Sequence, residues 1–288
     1  MKTFLGIIGG SGFYDLPGLK AEWTRIGTPW GAASDDLLIG ELGSIPVAFL
    51  PRHGRGHRYS PSGINYRANI DAMKRVGVTD LVSLSACGSL KEDLAPGTFV
   101  LVDQFIDRTF AREKSFFGNG CVAHISFGEP VSPRLMEHVA KAGALADITI
   151  RRGGTYLAME GPQFSTLAES KLYRAWGCDV IGMTNMPEAK LAREAELCYA
   201  AVAMVTDYDS WHAEHGTVDV SKVIAILKGN TERASQLVVQ LGKILPHEHE
   251  ACPIGSDRAL DHAILTAPQS RDPALVAKLD AVAGRVLK

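Results

Sequence analysis

Several features that would classify this chain quickly are missing from it. Its five cysteines (Cys87, Cys121, Cys178, Cys198, Cys252) are odd in number, scattered and never in CxxC spacing, so neither a disulfide framework nor a zinc site is indicated. Neither charge sign dominates: 30 basic against 32 acidic residues leave a formal net charge of -2, without the basic footprint that nucleic acid requires. No apolar stretch has membrane-spanning length. The longest, near Tyr199 to Val205, suits a buried strand, and the run before the first glycines is too short for a signal peptide. The expectation is a soluble, unprocessed, cytoplasmic protein with reduced thiols and with neither nucleic acid nor membrane as partner. Repeats and low-complexity linkers are absent too, so residues 1–288 are expected to form one domain, with a helical C-terminal extension from about 246 to 288.

The N-terminal glycine loop is likewise defined by what it lacks. Phe4-Leu5-Gly6-Ile7-Ile8 runs as a strand into Gly9-Gly10-Ser11-Gly12, where small residues let backbone N–H groups approach an anion and Ser11 adds a hydroxyl. A dinucleotide loop would close with glycine where this chain has Asp15, and a P-loop would follow its glycines with Lys-Ser/Thr. An anion held here is therefore expected to be small, free phosphate. The tract His247-Glu248-His249-Glu250 reads as a solvated connector between Pro246 and Pro253 rather than a ligand set, and no metal is expected.

What is present is ample apolar material, 46% of residues, arranged in alternating strand and helix patterns. Strand material at Val47 to Leu50, Leu81 to Ala86, Phe99 to Ile106, Thr155 to Met159, Val180 to Met183 and Tyr199 to Thr206 alternates with helical patterns. The latter begin near Asn65, after Ser132-Pro133, after Ser165 and after Pro187. That alternation predicts an α/β fold, a central β-sheet flanked by helices. Late helices are expected from Asp219 onward, with Val220, Val223, Ile224 and Leu227 on the apolar face, and from Asp272 to Leu287.

Ligands gather where the strands of such a sheet end. One end carries Arg52-His53 in a cationic, glycine-punctuated loop, which alone reads equally as solvated. Another carries Ser85-Ala86-Cys87-Gly88, where close strand packing is the alternative. A third carries Met183-Thr184, with Thr184 as anion ligand or helix cap and Met183 as core or ligand contact. A fourth carries Thr206-Asp207-Tyr208-Asp209, two carboxylates that need a partner or a ligand donor, or simply cap the next segment. An anion site combined with carboxylates for N–H groups points to making or breaking a sugar–base bond.

The ordered motifs GIIGGSG, PRHGR, NYRANI, ACGSL, DQFIDRT, MEGPQFS, GMTNMPE and TDYD, from Gly6 to about Leu227, resemble the 5'-methylthioadenosine phosphorylases of the trimeric purine nucleoside phosphorylase group. The resemblance implies a nucleoside phosphorylase-like fold with a central mixed sheet. It also implies a pentosyltransferase that uses inorganic phosphate as co-substrate and no cofactor, cleaving methylthioadenosine to adenine and 5-methylthioribose 1-phosphate in purine and methionine salvage. By similarity Ser11, Arg52, His53, Ser85, Ala86 and Thr184 bind phosphate. Met183 lies against the ribose, Phe164, Ser165 and Thr206 border the base, and Asp207 and Asp209 engage it, with Asp207, Asp209 and Ser165 as the catalytic set. Relatives specific for 6-oxopurines typically carry Glu and Asn where this chain has Ser165 and Asp207, which implies adenine. Val220 and Val223 stand where those relatives commonly place a histidine for a 5'-hydroxyl. An apolar wall suits a methylthio group, each buried methylene-sized unit contributing ~0.8 kcal/mol. His124 matches a position that reaches a neighbouring subunit's site, so the resemblance implies a homo-oligomer, a trimer with its active site near the interface. Ser85 replaces a common threonine, and beyond Leu245 the match weakens, leaving Ile264 or Leu265 as candidates to finish the methylthio pocket. A broader purine or methylthioinosine phosphorylase is the near alternative. A nucleoside-binding protein without turnover is the distant one.

Overall fold

The computed structural model describes residues 1–10, 19–213 and 220–287, apart from the side chains of Val220 and Lys222. Eleven strands form one mixed sheet: β1 (Leu5–Gly9), β2 (Lys20–Thr24), β3 (Leu37–Leu42), β4 (Ile45–Pro51), β5 (Asp80–Ser89), β6 (Phe99–Val102), β7 (Gln104–Asp107), β8 (Ile150–Arg152), β9 (Thr155–Ala158), β10 (Val180–Gly182) and β11 (Cys198–Asp207). Among the described residues seven α-helices accompany them: α1 (Tyr66–Arg75), α2 (Pro133–Leu145), α3 (Leu167–Ala175), α4 (Asn185–Glu194), α5 (Val220–Ile244), α6 (Pro273–Lys278) and α7 (Asp280–Leu287). The α/β architecture is as expected.

Local chemistry accounts for the helix starts. Asn65 accepts from the Ala68 N–H, Ser132 from Leu135 with Pro133 following, and Thr166 forms a reciprocal capping box with Glu169. Two expected elements divide. The strand material from Phe99 to Ile106 becomes β6 and β7, which pair with different partners, and the pattern from Asp272 to Leu287 becomes α6 and α7, parted at Leu279. The tail is helical only from Pro273 apart from short 3-10 turns, and Leu279, Val282 and Ala283 join the main core.

The tract at 247–250 also departs from expectation. His247 and Glu248 are exposed, but the His249 side chain is only 4% exposed, with Nδ1 2.9 Å from Asp80 Oδ2. It anchors the tail to the start of β5 rather than floating in solvent. Among the described residues no group of His, Cys, Asp and Glu is arranged to hold a metal, and no helix is long and apolar enough to cross a membrane.

The sheet divides at β5. Along one edge β11 follows it in parallel from Cys198 opposite Asp80 to Asp207 opposite Gly88. Along the other, β1 accompanies only Asp80 to Ser83, and β10 joins antiparallel at Gly88 and Ser89. Between those pairings this edge has no strand neighbour among the described residues, a gap of roughly 15 Å at about 3.3 Å per residue. Ala86 in mid-gap is exposed although the rest of its strand is buried.

Candidate active site

The gap in the sheet is the floor of a cleft of about 270 Å³, and strand ends from both halves of the sheet supply its walls. Arg52 and His53 follow β4; Ser85, Ala86, Cys87 and Gly88 belong to β5; Met183 and Thr184 follow β10; Thr206 and Asp207 end β11, and Asp209 opens the 3-10 turn after it. Phe164, from the segment before α3, and Val223, on the first turn of α5, complete it.

At one end the charges are tied into the protein. Arg52 is 1% exposed, and its Nε donates to Glu188 Oε2 at 2.8 Å, its Nη1 to the Leu84 carbonyl at 3.1 Å, and its Nη2 to Ser83 Oγ at 2.7 Å, to Ile8 O and to Glu188 Oε1. One Nη1 hydrogen is left for a ligand. Tyr199 donates to Glu188 and accepts from Asn185, whose amide oxygen accepts from Ser85 Oγ at 3.0 Å. The same network thus orients Arg52 and Ser85. His53 Nδ1 lies 2.8 Å from the Tyr59 carbonyl, an oxygen that can only accept, so Nδ1 carries the proton. Burial, aided by the Arg52 charge, lowers its pKa to about 4, leaving a neutral imidazole. Thr184 makes no side-chain cap bond at the start of α4, which removes capping as the reason for its hydroxyl. Gly10 lines this end, whereas Ser11 lies outside the described residues.

At the other end two carboxylates face the cleft. Asp207 Oδ2 accepts from Thr206 Oγ1 and its Oδ1 from the Asp209 N–H, both at 2.8 Å. Burial, with the Asp209 charge adding, raises the Asp207 pKa against those two donors. Burial likewise raises that of Asp209, whose backbone is left-handed with φ 52°. Gly88 makes room here: a Cβ would stand 2.9 Å from Asp207 Oδ1. Ser165 does not line the cleft; its hydroxyl donates to both oxygens of Asp209, at 2.9 and 2.8 Å.

Of the other expected residues, Met183 lies in the wall, with Sδ 2.5 Å from where a Cβ on Gly161 would be. Val220 has no described side chain. His124 is exposed and is not in the cleft wall; its N–H bonds to the Ala263 carbonyl. Ile264 and Leu265 run beside it, Leu265 64% exposed, and neither lines the cleft. Sequence reasoning missed Met159, Met204, Leu227, His57 and Pro61 as lining residues. Leu227 carried a signal in its place on the apolar face of α5, and His57 in its place in the cationic loop after β4. Burial, followed by the Asp207 charge, holds the Cys87 thiol well above its ordinary pKa, so it is a neutral lining group.

A sheet gap with a cation at one end and buried carboxyls of raised pKa at the other is the arrangement of a nucleoside-cleaving enzyme. The description Phosphorylase superfamily matches residues 4–242, and the chain belongs to that superfamily, within it to the S-methyl-5'-thioadenosine phosphorylases. It is 65% identical to the S-methyl-5'-thioadenosine phosphorylase of Cereibacter sphaeroides, covering 100% of both chains, and 65% identical to that of Bradyrhizobium diazoefficiens, covering 100% of this chain and 99% of the other. The crystal structure of a methylthioadenosine phosphorylase from an antarctic soil metagenomic library superposes with a TM-score of 0.92 at 43% identity, covering 98% and 99% of the two chains. The Schistosoma mansoni methylthioadenosine phosphorylase in complex with adenine superposes at 0.84 with 35% identity, covering 90% and 97%.

Proposed function

We infer that the protein is an S-methyl-5'-thioadenosine phosphorylase, cleaving methylthioadenosine with inorganic phosphate to adenine and 5-methylthioribose 1-phosphate. The observation that carries this reading is the cleft that joins Arg52, His53, Ser85, Ala86 and Thr184 to Asp207 and Asp209 across one gap in the sheet. Phosphate, gripped at the first end with Ser11 completing the set, presents an oxygen to the anomeric carbon. As the C–O bond forms, the C1'–N9 bond breaks and its electron pair passes to the purine. Positive charge on the ribosyl ring is stabilised by the phosphate beside it.

Asp207, its pKa raised, holds a proton for N7 and, once ionised, accepts from the 6-amino group. In the overall balance adenine gains the proton that hydrogen phosphate loses. Asp209 and Ser165 keep that carboxylate in place, while Phe164 and Thr206 border the base. Met183 lies under the ribose, and Val220 and Val223 form the apolar wall for the methylthio group. No metal or organic cofactor enters this scheme. We read residues 1–288 as one domain with its extension at about 246–288. We also read the assembly as a cytoplasmic homotrimer in which His124 reaches a neighbouring subunit's cleft.

The test is adenine release from methylthioadenosine with and without phosphate, together with steady-state rates for adenosine, methylthioinosine and inosine. Phosphate-dependent release with methylthioadenosine preferred is the expected result. Release without phosphate would make the protein a hydrolase, and preference for inosine would make it a 6-oxopurine enzyme.

A further inference from the structure

Arg112 lies outside the cleft wall and has no part in the scheme above. Its backbone belongs to a surface segment, beside Phe110 at 81% exposure, yet its side chain is 1% exposed. The guanidinium reaches inward to three separate pieces of chain. Nη1 donates to the Met183 carbonyl, to Met186 O at 2.6 Å and to Tyr66 Oη at 3.2 Å. Nη2 donates to Glu160 O at 2.7 Å and Met159 O at 3.4 Å, and Nε to Ser62 Oγ at 3.3 Å. The Tyr66 hydroxyl in turn donates to the Pro61 carbonyl at 2.8 Å. Five N–H donors therefore meet six acceptors, a planar fork that no other side chain can reproduce.

Each piece of chain held in this way forms a wall of the cleft. Pro61, Met159, Met183 and Thr184 line it, and Glu160 leads through Gly161 and Pro162 to Phe164. The Arg112 segment is itself fastened by the Glu160 carboxylate, which accepts from the Phe110 N–H at 2.6 Å and the Ala111 N–H at 3.3 Å. We propose that Arg112 is a positioning residue, a buried clamp that holds the Pro61, Met159–Glu160 and Met183–Thr184 walls in register. In that role it sets the distance between bound phosphate and the anomeric carbon. The inference rests on the phosphorylase reading.

In physical terms the three walls come from different parts of the chain, and their carbonyl and hydroxyl oxygens converge on the Arg112 fork. Without the fork those acceptors face one another unpaired, and the walls relax by about 1 Å. Loss of reaction geometry on that scale costs about 100-fold in rate. A lysine at the same place brings a point charge with three donors and cannot serve all the acceptors.

The experiment compares the full-length parent with Arg112→Lys and Arg112→Ala, measuring kcat and both KM values with methylthioadenosine and phosphate, and the thermal midpoint of each. Arg112→Lys is expected to unfold cooperatively near the parent's midpoint while losing about 100-fold in kcat, with smaller changes in either KM. In Arg112→Ala, added guanidinium ion at millimolar concentration is expected to raise kcat saturably, and ammonium is not. Parent-like kcat and KM in Arg112→Lys would overturn the proposal, as would a kcat in Arg112→Ala that guanidinium leaves unmoved. An inactive parent would instead sink the phosphorylase reading, which keeps the two failures distinct.

Discussion

The two ends of the cleft solve opposite electrostatic problems. At the phosphate end a permanent cation is buried, and Glu188, three main-chain or hydroxyl acceptors and the Tyr199–Asn185–Ser85 chain compensate it before any ligand arrives. At the other end two carboxylates are buried: Thr206 Oγ1 and the Asp209 N–H donate to Asp207, and the Ser165 hydroxyl donates to Asp209, on which Ser170 and the Ser210 backbone also act. The first end is preorganised and keeps its protonation state. At the second, burial raises both carboxyl pKa values against the donors that reach them. A cation held in place with one donor to spare suits binding an anion, and carboxyls whose pKa burial raises suit acid chemistry.

Breaking the compensated end gives the largest expected effect. Glu188→Ala strands the Arg52 guanidinium in the core and is expected to cost about 3–5 kcal/mol of stability, read by denaturant unfolding, with a raised KM for phosphate. Glu188→Gln, which keeps hydrogen bonding without the charge, is expected to fall between. A Glu188→Ala protein as stable as the parent would end the contrast.

At the carboxyl end, Asp207→Asn removes the proton donor and is expected to lower kcat/KM for methylthioadenosine by about 100-fold. Because the amide can donate to O6, the same change is expected to shift preference toward 6-oxopurine nucleosides. An unchanged substrate profile would take Asp207 out of its assigned role.

The smallest effect expected is a slope. The His53 imidazole titrates at about 4 folded against an ordinary value of 6.5, so below pH 6.5 the unfolded chain binds the extra proton first. Its contribution is therefore fully present above about pH 6.5 and is lost as pH falls toward 4. The half-buried ring is partly screened by solvent, which keeps the slope shallow. Unfolding midpoints measured across that window should show the slope in the parent and lose part of it in His53→Gln; equal slopes would remove His53 as its source.

Much of this was legible beforehand because strand ends in an α/β sheet are marked locally. Alternating apolar runs gave the element order, and Ser132-Pro133 marked the start of α2 through a side-chain bond that reaches only three residues. Arg52, His53, Thr184, Asp207 and Asp209 could be selected because each follows or ends a strand, whereas Ser85, expected at a strand end, lies inside β5, which runs on to Ser89. Met159 and Met204 could not, since nothing local separates a methionine in a cleft wall from one in the core. The burial of His249 against Asp80 was hidden for a related reason: its partner is 169 residues away.

Residue identity alone determined which chemistry was available, namely a guanidinium and imidazole for an anion, paired carboxylates for a base, and small residues at the turns between. Those properties belong to the side chains wherever they sit. Only the tertiary structure decided which groups keep a spare valence for a ligand. It committed Ser165 to Asp209, left the Thr184 hydroxyl out of capping, and spent most of the Arg52 fork on Glu188 and main-chain acceptors. It also brought Arg112, unremarkable in the sequence, to the junction of three cleft walls. Burial, charge pairing and hydrogen-bond satisfaction depend on which distant segments meet, and that is settled where the sheet divides at β5.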